Sequence, residues 1–438
     1  MISIPIRSVV LRLALLLALV AALGWLGWTI ARAAYGDSLS NYAERSPDLS
    51  NEARLQDADA AVAYAPRDPL VRWQRGDIYL AIAAAEQAER LLPIAIAELR
   101  AATQASPNDH RLWLTLGRAL ERDGAMPAAR AAFQRAVELA PQHFDPQWGL
   151  GNHLLRAGER DAAFAVLRQA LRQRPTAMPL IFDYAWNVYE GDSRAIINAL
   201  ADTNATRAQL AALFGARHRV EDALQLWREN GPHTPAETRQ LAEALANAGH
   251  FKAAYDLWRA AKDGTLPPLD SNSLLANGGF EENFDPASTL PLLAWRCAPG
   301  ATVNVLLDQQ TRAAGQLSLR FRFEQQDNLT LILAAQTAPV KPNTNYCLSF
   351  AARTEALLSL STPLINVTDA ADDKRLNVAT PQLPNGTHEW QMTTLRFAAK
   401  SETEAVTVRV LRLPCAEPPC PLTGRLWLDD FKLTECPK

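Results

Sequence analysis

The residues able to do chemistry are sparse in this 438-residue chain, and all five cysteines lie in its last third. His388-Glu389 opens the pattern of a zinc-protease helix but lacks the second histidine, and the residues after it read as a strand. Asp372-Asp373 reads as a solvated loop, not as half of a glycosidase pair, which needs two carboxylates set across a cleft. No phosphate-binding glycine loop and no Gly-x-Ser-x-Gly elbow occurs. The five cysteines, Cys297, Cys347, Cys415, Cys420 and Cys436, suit an oxidising compartment. Cys415 and Cys420 flank Ala-Glu-Pro-Pro, a short loop that a disulfide can close, and Cys297 reaches Cys436 if the first and last strands are neighbours. An odd count leaves one thiol free or shared between chains. Cys-x4-Cys is no zinc knuckle without a second Cys/His pair. This inventory predicts a binding protein and not an enzyme.

The elements that would carry a binding function are better defined. Between Leu13 and Ala31 no charge interrupts an apolar run bounded by Arg12 and Arg32. At about 1.5 Å per residue it spans roughly 28 Å, a bilayer's hydrocarbon thickness. Trp25 and Trp28 stand near its outer end; Arg7 and Arg12 precede it, and Asp37, Glu44 and Asp48 follow. The positive-inside rule then keeps the N-terminus cytoplasmic and exports the rest, which for a bacterial chain means an inner-membrane anchor with a periplasmic bulk. A cleaved signal peptide is the competing reading, with Ala31-Arg32-Ala33 as its cleavage site, although the apolar core is longer than such peptides carry. The heavy use of Ala and Arg fits a bacterial source. The net charge of −3 offers no basic face for nucleic acid.

Beyond the apolar run, Gly117, Ala129 and Pro141 return 34 residues later as Gly151, Ala163 and Pro175. The set Trp113, Leu116, Gly117, Leu120, Ala129, Phe133, Ala136 and Pro141 is spaced as in a tetratricopeptide (TPR) repeat, which this segment resembles over 107–175. The resemblance implies a superhelix of helix hairpins whose groove holds a protein segment or a polymer. Pro107 and Ala95 extend the register upstream, where Gly76 to Ala95 is seven residues longer than Gly117 to Ala129, predicting an extended helix over Leu70–Glu89. Asn51–Tyr64 reads as a lone capping helix. Leu210, Ala223 and Trp227 mark one later hairpin, and Leu241, Gly249, Ala254 and Trp258 another. Trp148, Trp186, Trp227 and Trp258 fall at packing positions, and His110, His143, His153 and His218 show no metal-ligand spacing, so they read as solvated or incidental.

At Asp263 the texture changes to a Gly/Pro/Ser linker, then to short alternating segments: 316–323, 329–335, 346–352, 395–398, 405–413 and 425–434. Asn277-Gly-Gly-Phe-Glu281 opens this region and Leu426-Trp-Leu-Asp-Asp-Phe-Lys-Leu433 closes it, with Trp295 and Trp390 between. These features resemble the jelly roll of the family 4, 9 and 22 carbohydrate-binding modules. The resemblance implies a structural calcium held by Glu281 and by Asp429 or Asp430; the plain alternative has these carboxylates capping nearby N–H groups. Trp295, Trp390 and Trp427 resemble the family's core tryptophans, which leaves no evident aromatic platform for sugar.

The expected architecture is therefore multidomain, α plus β. A cytoplasmic tip and transmembrane helix (1–35) lead into a TPR solenoid (36–262), a linker (263–273) and an antiparallel β-sandwich (274–438). The expected function is an extracytoplasmic scaffold anchored by its N-terminal helix, with envelope proteins in its groove and polysaccharide as a further partner, in exopolysaccharide or envelope assembly. The alternatives are a protein-only scaffold with the sandwich as spacer, and an enzyme with an unrecognised site.

Overall fold

A computed structural model describes residues 9–46, 48–260, 273–282, 294–297, 303–325, 328–417 and 419–437. The expected linker 263–273 lies outside the described residues except for Ser273, as does the tip of the chain before Val9. Two compact units are present, Met1–Leu200 and Ala201–Lys438, and their division falls inside the segment 36–262.

The first unit begins with α1 (Val9–Arg45), a single helix of 37 residues. Its apolar part from Leu13 onward is exposed and has the length and composition to cross a membrane. The helix does not stop where that run ends. Its last turns pack against α2 (Asn51–Tyr64) and α3 (Pro69–Glu86), burying Ala43 and Ser40; the Ser40 hydroxyl donates to Gln74 Oε1 at 2.6 Å. Gly36 faces Ala61 and Ala65 so closely that a Cβ there would lie 2.9 Å from the Ala65 methyl. The α2 helix is thus no lone cap: the end of α1 is its hairpin partner.

After α3 come α4 (Leu92–Ala105), α5 (His110–Arg122), α6 (Met126–Leu139), α7 (Phe144–Arg156), α8 (Arg160–Gln173), α9 (Met178–Val188) and α10 (Ser193–Leu200). The extra length of the early repeat is shared out. Helix α3 has 18 residues against 13 in α5, and a 3-10 turn at Glu89–Leu91 takes up the remainder. Side-chain caps start several helices: Asp68 accepts from the amides of Leu70 and Val71, and Asp109 from that of Arg111. One glycine per hairpin sets the spacing. A Cβ on Gly76, Gly117 or Gly151 would sit 2.7, 2.8 or 2.6 Å from Leu99, Phe133 or Leu167 of the partner helix.

The second unit holds two further hairpins, α11 (Asn204–Ala216) with α12 (Val220–Arg228) and α13 (Pro235–Asn247) with α14 (Phe251–Ala260), as the sequence predicts. Among the described residues it also holds ten strands in two antiparallel sheets. These are β1 (Arg296–Cys297), β2 (Val303–Asp308), β3 (Ser318–Gln325), β4 (Leu331–Pro339), β5 (Asn345–Leu358), β6 (Leu364–Asp369), β7 (Asn377–Ala379), β8 (Gly386–Ala398), β9 (Ala405–Arg412) and β10 (Leu422–Glu435). The sheet orders are β1-β4-β9-β6-β7 and β2-β3-β10-β5-β8. Their facing sides enclose one core that includes Phe321, Phe350, Ile365, Val408, Leu428 and Phe431. His388 and Glu389 lie within β8, which starts nine residues earlier than the predicted Leu395.

Candidate binding face

Repeats one period apart bring equivalent positions side by side, and this builds the most developed surface of the first unit. On α5, Arg111 and Arg118 lie two turns apart and are exposed. The Arg111 guanidinium sits over the Trp73 ring of α3, 5.6 Å from its centre, while the Trp73 indole donates to Thr115 Oγ1 at 2.9 Å. Asp77, one turn beyond Trp73, is half-buried; burial pushes its carboxyl above the usual range, and the nearby Arg118 only partly opposes that. On α7, Trp148 stacks with Phe144 and meets Tyr184 of α9 at 5.5 Å, and Arg174 covers Phe144 at 3.9 Å. Leu180 and Tyr184 are 48% and 37% exposed, which makes this an open aromatic face, with Arg111 paired to Asp109 at 2.6 Å and Arg174 to Asp145 at 3.8 Å.

This corrects one expectation. Trp227 and Trp258 are buried as packing residues, but Trp148 and Trp186 are only half-buried, and Trp148 belongs to the exposed aromatic group. The histidines also differ from their reading as solvated or incidental. His153 is 1% exposed, and its Nδ1 lies 2.7 Å from Glu121, which also pairs with Arg156. His110 faces His143 at 5.0 Å, and burial followed by that neighbour pulls the His110 pKa down. His218 Nδ1 lies 3.2 Å from His250 Nε2. The missed signal was the spacing itself, because residues 32 or 33 apart occupy adjacent turns of consecutive hairpins.

In the sandwich, the side of the first sheet turned away from the core is polar. Thr337, Thr407, Thr368 and Asn377 form one cross-strand row on β4, β9, β6 and β7; Arg409 and Asn366 form the next. The Thr337 and Thr407 hydroxyls are 3.0 Å apart, and the Asn366 amide donates to Asn377 Oδ1 at 2.8 Å. Thr368 is 1% exposed, and its hydroxyl has no hydrogen-bond partner. Trp295 and Trp427 are buried and Trp390 is half-buried, so the aromatics stay largely with the core.

The predicted calcium ligands serve another purpose. Both Glu281 oxygens accept from the Gln316 amide, at 2.8 and 2.9 Å, and Oε1 also accepts from that of Leu317. Asp429, fully buried, accepts from the amides of Ala313 and Ala314 with Oδ2 and from that of Asp430 with Oδ1. Burial raises the Asp429 pKa and these amides only partly oppose it. Asp430 pairs with Lys432 at 2.7 Å, and the Gly278 carbonyl accepts from the Phe431 amide at 2.9 Å. A hard cation needs several oxygens aimed at one point. Here N–H groups point at the carboxylates, and among the described residues no three acidic, His or Cys side chains converge. The set does not fit a calcium ion; it clamps the loop 313–317 between the domain's first and last motifs.

The sulfurs form two bridges. Cys415 bonds Cys420 across the short loop, while Cys436 bonds Cys347 on the neighbouring strand β5 and not Cys297. Cys297 is free and buried, and burial pushes its thiol up to about 12.

No family model matches the sequence, and no curated protein does. Solved structures are similar to parts of the chain. The Pseudomonas aeruginosa PilF structure covers 55% of this chain and 95% of its own length, at 14% identity and a TM-score of 0.31. The structure of YrrB, a TPR protein with an unusual peptide-binding site, covers 40% of this chain and 87% of its own at 19% identity and a TM-score of 0.30. The TmCBM61 complex with β-1,4-galactotriose covers 38% of this chain and all of its own, at 18% identity and a TM-score of 0.26.

Proposed function

We propose that this chain is a membrane-anchored scaffold outside the cytoplasm, with no catalysis of its own, whose repeats hold a segment of an envelope protein. The observation that carries this reading is the open face running over α3, α5, α7 and α9. There Trp73, Trp148 and Tyr184 alternate with Arg111, Arg118 and Arg174. Rigid aromatics and guanidinium groups supply large contact area and directional hydrogen bonds at small entropic cost, the composition typical of interface hot spots. The exposed apolar run of α1 supports the anchor by length and composition. The positive-inside rule gives its orientation, with the bulk of the chain periplasmic.

The experiment is site-specific photocrosslinking in native membranes. A crosslinker at Tyr184 is expected to trap one discrete protein, with the adduct lost on Trp148→Ala, while a crosslinker at the exposed Ala131 of α6 traps none. Equal adducts from both positions would overturn the assignment of the face.

The half-exposed Arg409 on the outer row of β9 makes polysaccharide the second partner in this reading, consistent with a place in exopolysaccharide or envelope assembly. Retention of the full chain on immobilised polysaccharide, released by Arg409→Ala, supports this. No retention while the Tyr184 adduct persists leaves the sandwich as a spacer.

A further inference from the structure

The continuity of α1 has a geometric consequence at the membrane surface. The α2 helix runs antiparallel to the end of α1, so the chain returns toward the apolar run and turns into α3 beside it. The contacts locate this return. Arg32, the first residue past the apolar run, donates from Nη2 to the Ala63 carbonyl at 2.7 Å, and Tyr35 meets Tyr64 edge to face at 4.9 Å. Tyr35 lies four residues beyond Ala31, about 6 Å along the helix axis. The headgroup layer on each side of a bilayer is roughly 5–8 Å thick.

We propose that the turn between α2 and α3, Tyr64–Asp68, is seated together with Arg32 and Tyr35 in the phospholipid headgroup layer, as a second contact between the repeats and the membrane. The proposal rests on the reading of α1 as a bilayer span. The side chains suit that occupant. Tyr35 and Tyr64 are 55% and 43% exposed, Trp28 is 67% exposed about two turns before Tyr35, and Arg67 is exposed at the tip of the turn. Tyrosine and tryptophan rings favour the level where one end is apolar and the other wet. Guanidinium groups bind phosphate through paired N–H donors, and Arg32 spends one of its five on Ala63. The opposite end of α3, at Arg90, lies one helix length of 18 residues farther from the membrane.

The test uses the full chain in phosphatidylethanolamine–phosphatidylglycerol vesicles, with a spin label on Leu23→Cys, Arg67→Cys or Arg90→Cys in separate preparations; the native Cys297 thiol is buried and the other cysteines are bonded. Accessibility to a water-soluble nickel complex and to oxygen is read by power saturation. The expected result is a label at 23 in the hydrocarbon, a label at 67 with nickel access several-fold below that at 90, and a fully aqueous label at 90. Equal nickel access at 67 and 90, with the label at 23 still in hydrocarbon, overturns the proposal and leaves the span intact. An aqueous label at 23 overturns both.

Discussion

The Trp427 indole donates to Asp308 Oδ2 at 2.9 Å, joining β10 to the end of β2 across 119 residues of sequence. Asp308 also accepts from the amides of Gln310 and Thr311 and from Arg320. The other sheet repeats the arrangement. Asp369, at the end of β6, accepts from the amides of Ala371 and Asp372, from Arg375 and from the Thr403 hydroxyl at 2.7 Å.

Burial by itself would raise both carboxyls, but the donors outweigh it: the Trp427 indole leads at Asp308 and the Thr403 hydroxyl at Asp369, and both pKa values fall below the ordinary 3.8. A folded-state pKa below the unfolded value contributes stability that is present above the unfolded value and lost as pH falls through the folded one. Asp308→Asn and Asp369→Asn are expected to lower Tm at neutral pH and to flatten the acid limb below about pH 4. Thermal melts across a pH series check this; an acid limb as steep in the double variant as in the parent would refute it.

Gly278→Ala should disrupt the sandwich, because its Cβ would lie 2.0 Å from the Phe431 carbonyl oxygen on β10. Overpacking against backbone cannot be relieved by a rotamer change, and a cost of about 3 kcal/mol is expected. The adjacent Gly279→Ala, whose nearest neighbour would be Glu281 at 3.6 Å, serves as the mild control. Chemical denaturation of both variants gives the comparison, and equal midpoints would count against the close packing at Gly278.

The two disulfides should differ in worth. Cys347–Cys436 closes a separation of 89 residues and Cys415–Cys420 one of 5. In the chain-entropy account the first constrains the unfolded chain by about 4–5 kcal/mol and the second by about 2 kcal/mol. Alanine pairs at each bridge, melted side by side, should fall in that order. A thiol titration is expected to find no reactive group in the native chain and one, Cys297, after denaturation.

Chelation is expected to leave the sandwich's melting temperature unchanged, because N–H groups already satisfy Glu281 and Asp429. A drop on EDTA, restored by calcium, would show that these carboxylates hold a cation after all.

The parts legible in the sequence were those with a local cause. The bounds of α2 follow from the Ser50 cap, which accepts from the Ala53 amide, and from Pro66 just beyond the helix end. The Gly/Ala spacing of α5 to α8 follows from the close approach that each hairpin needs. The α9–α10 hairpin escaped because Ala185 stands where the repeat has glycine, so its signature is missing. Strand β6 escaped for a different reason. All six of its residues are buried, so no alternation marks it. The binding face escaped because Trp148 and Tyr184 are 36 residues apart and meet only through the stacking of α7 on α9.

One more consequence follows from the 37 residues of α1 that run without a break from the apolar run into the first hairpin. A flexible tether would let the array sample every orientation above the surface. On the proposed reading of α1 as a bilayer span, the shared helix makes the span and the first hairpin one rod, and the tilt that α1 adopts to match bilayer thickness becomes the pitch of that hairpin. A partner in the same membrane would then meet the array at a fixed angle and height, and lipid composition would act on binding as a steering input.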